Sequence, residues 1–295
     1  MTGSLTRDEI EAAYRAACRL EVRTLKPGNV HIFADGHRMT VADFDRSADV
    51  SAPHISDDTL AVGARIRRAV EATFAAVAQN TNLGILLLCA PLAAAAERSG
   101  PATLEEKLKS VLAGLDHQDA RDVYSAIATA NPAGLGEDRS GDVRAEPPVA
   151  WTLLDAMRAA ASRDMIANEY ATGFAGIFAN ASTFAVGLKS GAPAEDTLAL
   201  LFLCQLAERP DTHIVRKHGH GLAQRVQDRA TEFLTEINQD MPSASISAPR
   251  NRTRLLQLDA ELKSWGANPG SLADLMCASV FASTLDAAAA NLTDS

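Results

Sequence analysis

Residues 59–78 read Thr59-Leu60-Ala61-Val62-Gly63-Ala64-Arg65-Ile66-Arg67-Arg68-Ala69-Val70-Glu71-Ala72-Thr73-Phe74-Ala75-Ala76-Val77-Ala78. Val62, Ile66, Val70, Phe74 and Val77 recur every three or four positions, the spacing that gathers side chains on one face of an α-helix. The same alanine-rich period returns over residues 9–20, 84–96, 104–115, 119–130, 151–161, 163–178, 195–207, 221–237, 252–264 and 271–290. No run alternates β-branched and aromatic residues, and aromatic residues form only 5% of the chain, so a sizeable sheet is not expected. The expectation is an all-α fold: one large domain over residues 1–295 with about eleven or twelve helices and a central cleft lined by helix termini.

The segments between these stretches carry helix punctuation. Thr6 with Glu9 has the spacing of a capping box, and Ser56-Asp57-Asp58, Thr103-Leu104-Glu105-Glu106, Asp119 and Ala194-Glu195-Asp196 read as helix starts. The N-terminus lacks the basic and apolar regions of a secretory signal, which makes the cytoplasm the expected location. The apolar runs look too short to cross a bilayer. Cys18, Cys89, Cys204 and Cys277 stand far apart in apolar contexts with no CxxC pair, so buried reduced thiols are expected rather than zinc or disulfides. A formal net charge of −9 argues against a nucleic-acid surface. Any phosphate binding would be local, directed at a small phosphorylated ligand, with a divalent cation as a natural companion to so many acids. A homodimer is the default for a helical enzyme of this kind.

Four dense polar segments stand out. In Glu21-Val22-Arg23-Thr24-Leu25-Lys26-Pro27-Gly28-Asn29, Pro27 stops a helix and Gly28 permits a sharp turn toward a ligand. Lys26 is there a candidate phosphate contact or a solvated lysine, and Glu21 a candidate ligand to a metal or a ribose hydroxyl. His37, in Asp35-Gly36-His37-Arg38, reads as a general base or as a surface residue. Asn80-Thr81-Asn82-Leu83-Gly84 precedes a wholly apolar helix, where Asn80 or Thr81 can cap while free amides face an anion. Pro210-Asp211-Thr212-His213-Ile214-Val215-Arg216-Lys217-His218-Gly219 places a carboxylate at a helix start and two cations about one and a half turns on. That pattern suits Mg²⁺ on Asp211 with Arg216 and Lys217 neutralising phosphate oxygens, or a capped surface helix. Asn268-Pro269-Gly270-Ser271-Leu272-Ala273-Asp274 gives a turn with Ser271 as N-cap and Asp274 in the first turn. Asn131-Pro132-Ala133-Gly134-Leu135-Gly136, with Asp138 and Asp142 behind it, reads as a turn or a weaker nucleotide contact. Arg163-Asp164 and Glu169-Tyr170 sit at and within a helix, where Asp164 reads as a site member or as part of a solvated, ion-paired face.

In this order the segments resemble the triphosphoribosyl-dephospho-CoA synthase family across nearly the whole chain. Asn82-Leu83 stands where the lyase-associated members carry His-Lys, which places the chain nearer a divergent branch of archaea and one-carbon-metabolising bacteria. The resemblance implies an all-helical transferase in which a hydroxyl of dephospho-CoA attacks the ribose C1′ of ATP and adenine leaves. It implies Mg²⁺ as cofactor and ATP, or a related phosphorylated molecule, with dephospho-CoA or another cofactor precursor as partners. Mapped onto this sequence, Lys26, Arg216 and Lys217 become triphosphate ligands, and Glu21, Asp211 and Asp274 ligands of Mg²⁺ or ribose. Gly28, Asn29, Asn80, Thr81, Asn82, Gly84, Thr212, His213, Gly270 and Ser271 become substrate contacts, and His37 the general base. A one-carbon cofactor transferase with a diphosphate-bearing substrate, an Mg²⁺-dependent hydrolase of the ADP-ribosyl-hydrolase kind and a non-catalytic nucleotide-binding protein are the competing readings.

Overall fold

The computed structural model describes residues 4–34, 39–130, 150–240, 246 and 248–293. Among them are fourteen helices and no strand, with one isolated bridge between His31 and Ala34. In chain order these are α1 (Arg7–Arg23), α2 (Val41–Ile55), α3 (Val62–Val77), α4 (Leu83–Ala96), α5 (Leu104–Ala113), α6 (His117–Ala130), α7 (Leu153–Ala160), α8 (Met165–Thr172), α9 (Ala175–Lys189), α10 (Ala194–Glu208), α11 (Thr212–His218), α12 (His220–Asp240), α13 (Pro249–Ser264) and α14 (Gly270–Thr293).

Side chains set several helix starts. Thr6 accepts from the Glu9 amide, and the Glu9 carboxylate returns to the Thr6 amide at 2.8 Å. Thr103 and Glu106 repeat the device at α5. Three departures from the periodic reading raise the helix number. The stretch 163–178 breaks at Gly173 and Phe174, both left-handed with φ of +69° and +64°, so α8 and α9 meet at 93°. α2 and α11 are further helices, and Ser56, read as a start, instead ends α2.

The core is organised on two apolar helices. Every residue of α4 except Ala94 is buried, so this helix has no solvent face at all. α14 packs against α1, α4 and α9. By length and mean hydropathy (1.4), Gly270–Asn291 would suffice to cross a bilayer, contrary to the estimate from apolar runs; 61% of its most apolar window is buried inside the protein. Cys18, Cys89 and Cys277 are buried reduced thiols, with Cys277 Sγ 3.8 Å from Cys18 Sγ, whereas Cys204 is exposed. Because α4 starts beside the N-terminus of α14 and the end of α1, the three central helices deliver their ends to one place.

Candidate active site

A cavity of about 850 Å³ opens there. One wall is polar: Glu21 from α1, Asn29 from the following turn, Asp164 from the start of α8, His213, Arg216 and Lys217 from α11, and Gly270, Ser271 and Asp274 from α14. Asn80, Thr81, Asn82 and Gly84 form its floor at the start of α4. The lining from α3, α6 and α7 is mainly apolar and presents Phe74, Val123, Tyr124, Ile127, Leu153 and Met157.

Asp274 is one of three acids that line this space, with Glu21 and Asp164. It is half-buried, lines the cavity and has no hydrogen bond or ion pair to another described residue. Burial holds its carboxyl well above the usual range, reinforced by the carboxylates of Glu21 and Asp211 and opposed by Arg216. Gly84 makes its position possible. A Cβ on Gly84 would fall 2.1 Å from Asp274 Oδ2 and 2.6 Å from Ile166 Cδ1. Glu21, in the last turn of α1, is also raised by burial, with Lys26 pulling the other way through a 3.0 Å ion pair.

Arg216 is the cation that faces these acids. Its Nη1 donates to Asp164 Oδ2 at 3.3 Å, while Asp164 Oδ1 accepts from the amides of Ile166 and Ala167 at 2.9 and 3.0 Å and so starts α8. At the floor, Asn80 Oδ1 accepts from the Leu83 amide at 3.2 Å, and Thr81 shares a 2.6 Å hydrogen bond with Ser47 of α2. Asn82, the N-cap of α4, makes no side-chain cap bond and instead reaches Ser51 at 3.5 Å.

Four predicted residues are turned to structural work. Lys26 is wholly buried behind the wall; its ammonium donates to the carbonyls of Glu21, Thr24 and Val30, the last two at 3.2 and 3.4 Å, so it has no route to a phosphate. Asp211 is not placed as a metal ligand. Its Oδ1 accepts from the amides of His213 and Ile214 at 2.8 and 3.0 Å, and its Oδ2 from the Leu272 amide at 2.8 Å, stapling α11 to α14. Burial pushes its carboxyl up to about 6 against the pull of those three amides. Gly28 turns with φ +85° beneath Pro269, donating to Asp259 Oδ1 at 2.9 Å rather than facing the cavity. Thr212 joins two helices: its hydroxyl accepts from the Met165 amide at 3.1 Å and bonds Ser271 Oγ at 3.2 Å, and Ser271 lies inside α14 rather than capping it.

His37 and the segment from Asn131 through Asp142 lie outside the described residues. Among the described residues no group of three or more His, Cys, Asp or Glu is arranged to hold a metal ion by itself. The sequence reading did not find the apolar wall or Arg163, which also lines the cavity. Val123, Ile127 and Met157 have the same helical spacing as core residues, and nothing in the sequence separates the two.

Residues 7–292 match the family model of CitG, described as ATP:dephospho-CoA triphosphoribosyl transferase. No curated protein matches the sequence. Among solved structures the chain is similar to the crystal structure of an Archaeoglobus fulgidus protein assigned as a triphosphoribosyl-dephospho-CoA synthase, with TM-score 0.62 and 22% identity over 81% of this chain and 97% of that one. At that identity the likeness speaks for the fold.

Proposed function

Because this chain belongs to the ATP:dephospho-CoA triphosphoribosyl transferase family, we propose that its cavity holds ATP and an acceptor hydroxyl together and is where the triphosphoribosyl group changes hands. The observation that carries this is the mixed lining of the cavity: acids and cations from α1, α8, α11 and α14, and apolar and aromatic side chains from α3, α6 and α7. ATP has the same polarity, with its triphosphate and its base on opposite sides of the ribose. Arg216, Lys217 and His213 face the triphosphate, and the wall containing Phe74 and Met157 receives the base.

That orientation brings C1′ beside the acids. The hydroxyl oxygen of dephospho-CoA forms the new bond to C1′, the C1′–N9 bond breaks with its electron pair going to N9, and adenine takes a proton from solvent, to which the proton lost by the hydroxyl is finally returned. Glu21, buried and of raised proton affinity, takes the proton of the attacking hydroxyl, and its charge favours the cationic character that grows at C1′. Asp274 is an open oxygen donor, which fits Mg²⁺: that ion is held by one or two carboxylates together with substrate phosphates, rather than by a full protein cage. Bound there, it would neutralise phosphate charge. The test is mass spectrometry of products after incubation with ATP, Mg²⁺ and dephospho-CoA. Free adenine with a triphosphoribosylated acceptor is the expected result, lost in Asp274→Asn. ATP left intact, or hydrolysed with water as the only acceptor, overturns the reading.

A further inference from the structure

Lys26 lies in the polar segment that first suggested a phosphate contact, and its surroundings give it a different task. Its side chain is 0% exposed, and three carbonyls and one carboxylate surround the ammonium. An ammonium has three N–H donors, so four acceptors leave none for a ligand. A residue needed only to close α1 would find enough in the carbonyls of Glu21 and Thr24. Lys26 does more, because it also reaches Val30 beyond the turn at Gly28 and takes Oε1 of Glu21 at 3.0 Å.

Among the described residues Glu21 is paired with no other cation. The groups that face it are Asp274 and Cys277 of α14 and Cys18 on its own helix, none of them positively charged. Its Oε2 makes no bond to another described residue, and Glu21 lines the cavity. One carboxylate oxygen is thus tied to a fixed ammonium behind the wall while the other remains free.

We propose that Lys26 is a positioning residue, which holds Glu21 by one oxygen so that the other meets the reacting centre, and which touches no phosphate itself. This rests on the role given to Glu21 above. The side chain of Lys26 is fixed to the backbone on both sides of the turn, so the position of the Glu21 carboxylate is set before substrate arrives.

The experiment is a double-mutant cycle on the full chain with Glu21→Gln, Lys26→Met and the pair combined, measuring adenine release and, in parallel, thermal unfolding. Lys26→Met is expected to lower kcat on the order of a hundredfold, as misplacement of a reacting group does, and to leave KM for ATP within about twofold. The combined variant is expected to match Glu21→Gln, since Lys26 has nothing left to position. A phosphate-binding lysine behaves otherwise: KM for ATP rises, and the loss multiplies with that of Glu21→Gln. Either result overturns the proposal, as does a normal kcat in folded Lys26→Met. Should Lys26→Met not fold, the combined variant leaves no unpaired buried charge, and its comparison with Glu21→Gln decides by the same criterion. Full activity in Glu21→Gln would remove the role of Glu21 itself, a separate failure that the single variant reveals.

Discussion

Replacing Asp211 with alanine separates a structural carboxylate from a catalytic one. The change deletes two cap bonds to α11, at 2.8 and 3.0 Å, and strands the Leu272 amide that Asp211 receives at 2.8 Å. Losing the cap costs about 1 kcal/mol, and the orphaned buried amide about 1–3 kcal/mol. Against this, the variant no longer carries a desolvated carboxylate. Burial holds that group at about 6, above its ordinary 3.8, so its ionisation is harder in the folded protein, and its contribution to stability declines as pH rises between those two values. The net expectation near neutral pH is a loss of about 2 kcal/mol, or a fall in Tm of roughly 4 °C in a chain of this size. Circular dichroism melts of wild type, Asp211→Ala and Asp211→Asn at pH 5 and pH 7.5, paired with adenine release, test this. Asp211→Asn keeps an acceptor oxygen for the cap and should fall between the other two. Turnover per folded molecule should stay within about tenfold of wild type in both. An Asp211→Ala protein that melts like wild type yet releases no adenine refutes the staple and returns Asp211 to ligand binding.

Three further outcomes follow from the site. Gly84→Ala places a methyl carbon 2.1 Å from Asp274 Oδ2; overpacking should cost about 1–3 kcal/mol, with a larger proportional loss in kcat as the carboxylate is displaced, and a wild-type kcat would show that Asp274 does not need its present position. Arg216→Ala should raise KM for ATP by about 10- to 100-fold, the range for losing bonds to a charged group, and an unchanged KM would remove Arg216 from the phosphate subsite. In Glu21→Gln, ¹³C NMR of the carboxyl groups should show Asp274 titrating at lower pH than in wild type, because the Glu21 carboxylate helps to raise it; a titration that stays put or moves up would mean the two acids do not sense each other.

Much of the architecture was legible because burial follows period. The stretch 84–96 became α4 and 271–290 became α14 within a few residues. α2 was missed for a physical reason: its buried face is built on Ser47 and Ser51, whose hydroxyls bond back to the carbonyls of Asp43 and Ser47, both at 2.6 Å, so a polar sequence is satisfied inside the protein. The site was legible as four segments that converge, but not in which way each side chain points. Lys26 and Asp211 have the residue types that bind phosphate and Mg²⁺, yet the nearest acceptors and donors, in the turn after α1 and at the start of α14, occupy them first. The apolar wall had no signature, since a cavity lining and a core lining demand the same residues.

α14 gives the centre Ser271 and Asp274, anchors α11 through the Leu272 amide, and follows every other described helix in chain order. As the polypeptide leaves the ribosome, α1 and α4 can pack against α2, α3 and α5, but the faces that α14 covers stay open until it arrives. The centre, which needs Ser271 and Asp274, is therefore complete only once α14 has docked. Recovery of adenine release during refolding would time that event directly.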